Sequence, residues 1–595
     1  MLRAPFALLF NLVKSLLYLF RLALFGLGSF LGRKHRRYVK LSLSARQPFG
    51  PAQGLAARFQ DALSYIELRE QMTSVASDPR IEGLLITADS FQLGAARTAD
   101  IAHLIKEFRK QGKRVIFHLH SSMGRDYDLA MEGDQILITP GGRLYLFGSN
   151  IEQFFAAPLF ERLGVVPQFV HIGPFKTAAH RFIHSEATPA LRLMMNQLLD
   201  SLDLLRKARL EERRGISAEK LGQARDLMPL DDRRARHFHF IDHIVQRKSV
   251  RTFLLEGEDF VDTPVPEESE KEDATSAVDP KKQREAAEKA PLQVMDLSDY
   301  ARVRPKYNWT PLFRAKKVIA TMDLSGMIVM PGTEVPGQSG VTIDPDEVIP
   351  VLQSLAQNRR VSAVVLHINS PGGSALASEV IWDAIRRLRW EKPVIAYCSD
   401  MAASGGYYLA VACDQILCQK ETITGSIGVI AGKFTIPGVL DKLGINHESY
   451  RRNETAIFTS MAEPLTDEVL QNLQHDARAF YRQFLRRVGL SRQLPKRRLH
   501  RFARGRVYTG LDAHKRHLVD HLGGFDDAVD LARVLAEVPA STAVEYFPHR
   551  KVSLPMLLRR STVQSFVPDQ VTELGLVKAM IDRDPLLALM PLKIT

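Results

Sequence analysis

Two residues far apart in this chain have the right chemistry to share one acyl-transfer reaction. Ser404 lies in SDMAASGGYY, flanked by Ala402, Ala403, Gly405 and Gly406, small enough for a substrate carbonyl to come close. A serine hydroxyl attacks at neutral pH only when a base takes its proton. Lys176, in GPFKTA, has mostly small or apolar neighbours: Ile172, Gly173, Pro174, Phe175, Ala178 and Ala179. Burial among such groups can lower a lysine pKa of about 10.4 by several units, which would leave a neutral amine able to act as base. A third stretch, NSPGGS (Asn369–Ser374), has a turn set by Pro371 and two glycines, Gly372 and Gly373, whose N–H groups can meet an oxyanion. One such donor is worth about 3 kcal/mol in a transition state. Ser426, in TGSIGVI, could hold the lysine amine in line with Ser404. Each feature has a plainer reading: Ser404 as a helix cap, NSPGGS as a strand-to-helix turn, Lys176 as a solvated side chain, Ser426 as a turn serine.

What favours chemistry is an internal repeat at an offset of about 280 residues. VIFHLHSSMGRDYDLAMEGDQI (Val115–Ile136) aligns with VIAYCSDMAASGGYYLAVACDQI (Val394–Ile416), Asp134 with Asp414 and Leu129 with Leu409. In that register Gly124 stands opposite Ser404. ERLGV (Glu161–Val165) matches DKLGI (Asp441–Ile445), and the stretch opposite Lys176, RRNETAIFTSM, holds no lysine. The first copy also has ADSFQLGA where the second has the proline–glycine–glycine run. Each copy thus keeps one half of a dyad, as expected of a single composite site. Asp242/His243 and Asp520/His521 recur at equivalent places and are read as serving the shared fold.

The elements that must position these groups alternate. EGLLITAD, TADIAHLIKEFRKQ and KRVIFHLH in the first copy, and VSAVVLHIN, ALASEVIWDAIRRLRW and KPVIAYCS in the second, read as strand, helix, strand. That order predicts an α/β fold with parallel βαβ units in each copy. The expected organisation is a membrane anchor with basic flank (1–40), a first domain (59–262) supplying the lysine, a charged linker (263–312), a second domain (313–535) supplying the serine, and a tail (536–595).

Composition narrows the class. Of 595 residues, 45% are hydrophobic and 25% charged, ordinary for a globular protein of more than one domain. Three cysteines, all in the second copy, make no disulfide framework and no metal spacing, and read as small core residues. No Walker loop, HExxH or dinucleotide fingerprint is present. The net charge of +13 includes RKHRR (Arg33–Arg37), beside an apolar segment, which suits anionic lipid. No nucleic-acid recognition motif accompanies the charge. PFALLFNLVKSLLYLFRLALFGLGSFL (Pro5–Leu31) is long enough to span a bilayer, though Lys14 and Arg21 share one helical face, which also fits an interfacial helix. No small-residue cleavage site follows it.

NSPGGS, SDMAASGGYYLA, TGSIGVI, GPFKTA and VYTGLDAHKRHLVDHLGGFDDAV together resemble the long bacterial signal peptide peptidases, the SppA or protease IV family, over most of residues 60–535. The resemblance implies a tandem duplication of two crotonase/ClpP-like domains. It implies Ser404 as nucleophile, Lys176 as general base, Gly372, Gly373 and Gly405 as the oxyanion hole and Ser426 as the group orienting the lysine. It further implies a cofactor-free serine endopeptidase that degrades cleaved signal peptides, anchored in the bacterial inner membrane as a ring-like homo-oligomer such as a tetramer. A periplasmic catalytic domain would follow from the family, whereas the basic flank favours the cytoplasmic side. The rival readings are a non-catalytic membrane scaffold derived from such a peptidase and an acyl-CoA enzyme on the same fold.

Overall fold

The computed structural model describes residues 12–16, 19–20, 36–43, 47–51, 63–88, 93–256, 292–303, 316–333, 342–547 and 586–589. The apolar segment 5–31 lies mostly outside them. Among the described residues no helix is long and apolar enough to cross a membrane.

Each copy builds one sheet with the same strand sequence. In the first, the order is His243–Ile244, Gln135–Ile138, Arg114–Leu119, Gly83–Ala88, Arg36–Leu43 and Leu292–Asp296, every pair parallel. In the second, the matching strands are His521–Leu522, Gln415–Cys418, Val394–Ala403, Val361–Ser370, Val318–Ser325 and Ala543–Tyr546. The central strands of both are buried almost throughout, as parallel strands covered on both faces must be. The duplication extends to side chains. The Asp134 and Asp414 carboxylates accept from the N–H of Val115 and Val394, at 2.7 and 2.8 Å. Asp242 and Asp520 accept from Ile136 and Ile416, both at 2.7 Å, so these aspartates tie adjacent strands together. The Tyr127 and Tyr407 hydroxyls donate to the carbonyls of Phe240 and Leu518.

Strands and a helix lie within stretches that the sequence reading gave to flank, linker and tail. Arg36 and Arg37, read as lipid-facing flank, open the strand Arg36–Leu43 and pair with Leu292 and Gln293. Leu292–Asp296 and the helix Leu297–Val303 fall within the stretch read as linker, and Ala543–Tyr546 falls within the tail. The cause is long-range pairing. Both outer strands join their sheets from far along the chain, where local periodicity carries no signal.

The copies are packed into one another. One hydrophobic core runs from Val39, Leu84 and Phe117 of the first copy to Ile319, Val365, Ile395 and Phe525 of the second. The helix Ala95–Lys110 starts at Gly94 without a side-chain cap of its own. Asp400, four residues before Ser404, accepts from the N–H groups of Ala96 and Arg97 at 2.8 and 3.2 Å, and so caps a first-copy helix from the second copy. Arg97 then reaches His367 at 3.1 Å and lies over the rings of Phe49 and Tyr65. The three cysteines are free and buried, in keeping with core packing.

Candidate active site

The site is made by two strand registers. The first-copy strand Val166–Ile172 runs antiparallel to the second-copy strand Val429–Thr435, with Ile172 opposite Val429. Four residues beyond Ile172, past the turn at Gly173, Lys176 reaches Ser426. The strand Val394–Ala403 lies parallel to Ile423–Gly425, with Ala403 opposite Gly425. Ser404 is therefore carried to the same place from the other side. Lys176 Nζ lies 2.6 Å from Ser404 Oγ and donates to the Ser426 carbonyl and Oγ, at 3.0 Å each.

Ser404 closes its strand and opens the helix Gly405–Ala410. Its φ of 57° lies in the left-handed region, a strained position for a side chain other than glycine. Its N–H is held by the Gly425 carbonyl at 2.9 Å. Ser426, at φ 52°, is held by the Arg506 carbonyl at 2.7 Å. Strain at two adjacent contact residues is a common mark of a functional site and aims both hydroxyls at the amine.

Lys176 is 0% exposed. Burial pushes its amine well below the ordinary lysine value near 10.5. A neutral amine has two N–H donors and one lone pair. The two oxygens of Ser426 match the donors, which leaves the lone pair for the Ser404 hydroxyl proton. That is the arrangement a general base requires.

The glycines of NSPGGS sit beside the serine. A side chain on Gly405 would stand 3.1 Å from Gly372 Cα and 2.7 Å from Ser378 Oγ, so the two glycine segments touch. A Cβ on Gly373 would lie 1.9 Å from the Ile328 carbonyl oxygen. Gly372 gives its N–H to Ser370 Oγ at 3.2 Å. All six residues named from the sequence thus meet in one place.

Sequence reasoning missed the clamp on the lysine loop. The Arg504 carbonyl accepts from Phe175 N–H at 3.1 Å, and a Cβ on Gly173 (φ 103°) would strike that carbonyl at 2.3 Å. Gly505, at φ 83°, packs so closely that a Cβ would stand 2.3 Å from Lys176 N. The Arg506 guanidinium lies over the Phe175 ring, 4.1 Å from its centre. The only sequence signal was a glycine within the basic run FARGR, just before VYTG. Among the described residues no group of His, Cys, Asp and Glu could hold a metal.

The family model for Peptidase family S49 matches residues 107–259 and 386–539, once in each copy. The Clp protease family model matches residues 335–418, in keeping with a ClpP-like α/β fold in the second copy. The chain is 29% identical to the chloroplastic serine protease SPPA of Arabidopsis thaliana, over 89% of this chain and 72% of that one. It is 26% identical to Protease 4 of Haemophilus influenzae, over 87% of this chain and 83% of that one. Among solved structures, a ClpP1 mutant from Listeria monocytogenes aligns with a TM-score of 0.23 at 12% identity, over 35% of this chain and 94% of that one. The scaffold and acyl-CoA readings give way to hydrolysis of peptide bonds. With an S49 match in each copy and relatives aligned along most of their length, the chain belongs to peptidase family S49 and is an SppA-type serine peptidase.

Proposed function

We propose that this peptidase is a membrane-associated endopeptidase that cuts apolar peptides, cleaved signal peptides among them, with Ser404 and Lys176 as its dyad. Neutral Lys176 takes the Ser404 proton as Oγ attacks the peptide carbonyl. The tetrahedral oxyanion is held by the N–H groups of Gly373 and Gly405. The Lys176 ammonium then protonates the leaving amine, and an acyl-enzyme remains. Water, deprotonated by the same lysine, hydrolyses the ester and frees Ser404. Ser426 keeps the amine in line through both steps. The observation that carries this reading is the 2.6 Å approach of Lys176 Nζ to Ser404 Oγ at a buried site, where the amine is held below its ordinary range.

Association with lipid through the apolar N-terminal segment, placement at a bacterial inner membrane and a ring-like homo-oligomer are parts of the same proposal, supported by the apolar and basic sequence and the family. The test is hydrolysis of a fluorogenic apolar peptide by wild type and by Ser404→Ala, with folding checked by circular dichroism. Wild type should cleave and Ser404→Ala should fall to background. Cleavage by Ser404→Ala at the wild-type rate would remove Ser404 from the chemistry.

A further inference from the structure

Most of the chain's net charge of +13 is matched by one stretch: residues 477–511 hold eleven Lys and Arg and no Asp or Glu. The duplication supplies an internal control. The long helices Pro189–Arg214 and Asp467–Arg492 have the same 26 residues, and the helices Ala218–Asp226 and Lys496–Phe502 begin at the same distance after them. In that register residues 199–233 of the first copy match 477–511, and they carry eight Lys and Arg against eight Asp and Glu. The same pair of helices therefore folds with balanced charge, so packing does not require the excess in the second copy. The excess is laid out on one face. Arg478, Arg482 and Arg486 are exposed and recur every fourth residue, and exposed Leu490 is next in that row. Such a row is a single ridge of the helix, about 18 Å long at 1.5 Å per residue. Arg487 and Arg492, off the ridge, pair with Glu379 and Asp520. Among the described residues no carboxylate pairs with the ridge arginines or with the cations of Lys496–Phe502. This short helix folds back along the long one. Buried Leu499 lies 3.6 Å from where a Cβ on Gly489 would stand, and the His500 ring is 6.4 Å from that of Tyr481. Lys496, Arg497, Arg498 and Arg501 are left exposed. The basic surface runs on to exposed Arg504, whose N–H donates to Tyr481 Oη at 3.2 Å and whose carbonyl holds the Phe175 N–H of the lysine loop.

We infer that this face docks on an anionic lipid bilayer and so holds the lysine clamp next to the membrane. Unpaired cations on a helical ridge meet lipid headgroups without needing a groove, and their attraction is to negative surface charge of any headgroup chemistry. Leu490, 69% exposed at the end of the ridge, is placed to enter the boundary between headgroups and acyl chains. Nucleic acid is the poorer match. A single strand needs aromatic faces to stack on, and no aromatic side chain of the stretch is exposed: Tyr481, Phe484 and Tyr508 are buried, Phe480 and Phe502 half-buried. The docking face rests on the reading of this peptidase as membrane-associated and deepens it, through a surface of the folded body distinct from the N-terminal segment.

The three native cysteines are buried, so an environment-sensitive fluorophore can be placed selectively on Leu490→Cys of the full chain. Leu204→Cys, exposed on the matching first-copy helix, is the control. Vesicles of phosphatidylcholine with phosphatidylglycerol are expected to blue-shift and brighten the label at position 490 and to leave the one at 204 unchanged. Vesicles of phosphatidylcholine alone should shift neither. The shift at 490 should be lost at about 1 M salt, where the Debye length is about 3 Å. It should also be lost when Arg478→Gln, Arg482→Gln and Arg486→Gln are added, with folding checked by circular dichroism. A label at 490 that stays in water while the chain floats with the vesicles would overturn the docking face and leave anchoring by the N-terminal segment intact. Equal shifts at 490 and 204, or a shift produced by phosphatidylcholine alone, would overturn it too. So would a label at 490 that responds to an RNA oligonucleotide and not to vesicles, which would make the face a nucleic-acid surface. If the salt-sensitive shift at 490 is seen but the chain does not float with pure phosphatidylcholine, the docking face stands and anchoring by the N-terminal segment fails.

Discussion

With Lys176 as the proposed base, its burial ties both rate and stability to pH. Below its folded-state pKa the amine is protonated and cannot accept the Ser404 proton. The rate is therefore expected to rise with pH through that pKa and then level off, and a flat profile across the same range would exclude Lys176 as the base. Stability follows from the same protonation difference. Between the depressed folded pKa and the ordinary value near 10.5, the unfolded chain binds a proton that the folded chain does not, so folding stability increases with pH over that window. Lys176→Met removes this slope. Its stability relative to wild type should be greatest near neutral pH and decline as pH approaches 10, as measured by denaturant unfolding at several pH values. A difference that does not change with pH would mean the folded lysine is protonated. At this scale the sequence was informative because residue type and reciprocal loss between copies act together. Ser404 without a lysine nearby, and Lys176 without a serine, each had a plain structural explanation until the repeat set them side by side.

At the scale of elements, the lysine is positioned by backbone contacts from the other copy. Gly505 is the tightest of these, with positive φ and no room for a Cβ beside Lys176 N. Gly505→Ala is expected to displace the lysine loop and cut kcat by more than tenfold, and to lower Tm by a few degrees through the strain of an alanine at positive φ, a cost of about 1 kcal/mol. Lost stability with undiminished kcat would show that the clamp serves folding alone. Such contacts are hard to read from sequence, since Arg504, Gly505 and Arg506 act through register with a loop more than 300 residues earlier. Local periodicity gave the central strands and helices, for example Val394–Ala403 and Ala375–Glu391, because their apolar patterns are self-contained. It did not give Arg36–Leu43 or the edge strands Leu292–Asp296 and Ala543–Tyr546, whose identity depends on distant partners. The basic run at Arg33–Arg37 drew attention to lipid, while Arg36 and Arg37 already belong to a sheet.

At the scale of the molecule, the duplication has become a division of labour. Both copies keep the sheet, the strand-tying aspartates and the long helices Pro189–Arg214 and Asp467–Arg492, while the proposed dyad takes Lys176 from the first and Ser404 from the second. Gly124 marks the place in the first copy where Ser404 stands in the second, and it keeps the positive φ of that turn without the hydroxyl. A shared core, the Asp400 cap on the helix Ala95–Lys110 and the pairing of Val166–Ile172 with Val429–Thr435 hold the halves in the one arrangement that joins amine to hydroxyl. The central claim, that one site is assembled from both copies, is tested most directly by kcat/KM on an apolar peptide for Ser404→Ala, Lys176→Ala and the double variant. If the two residues act as one unit, each single variant loses nearly all activity and the double is no worse than either. Losses that multiply in the double variant, or a Lys176→Ala enzyme near wild-type activity, would contradict a composite dyad.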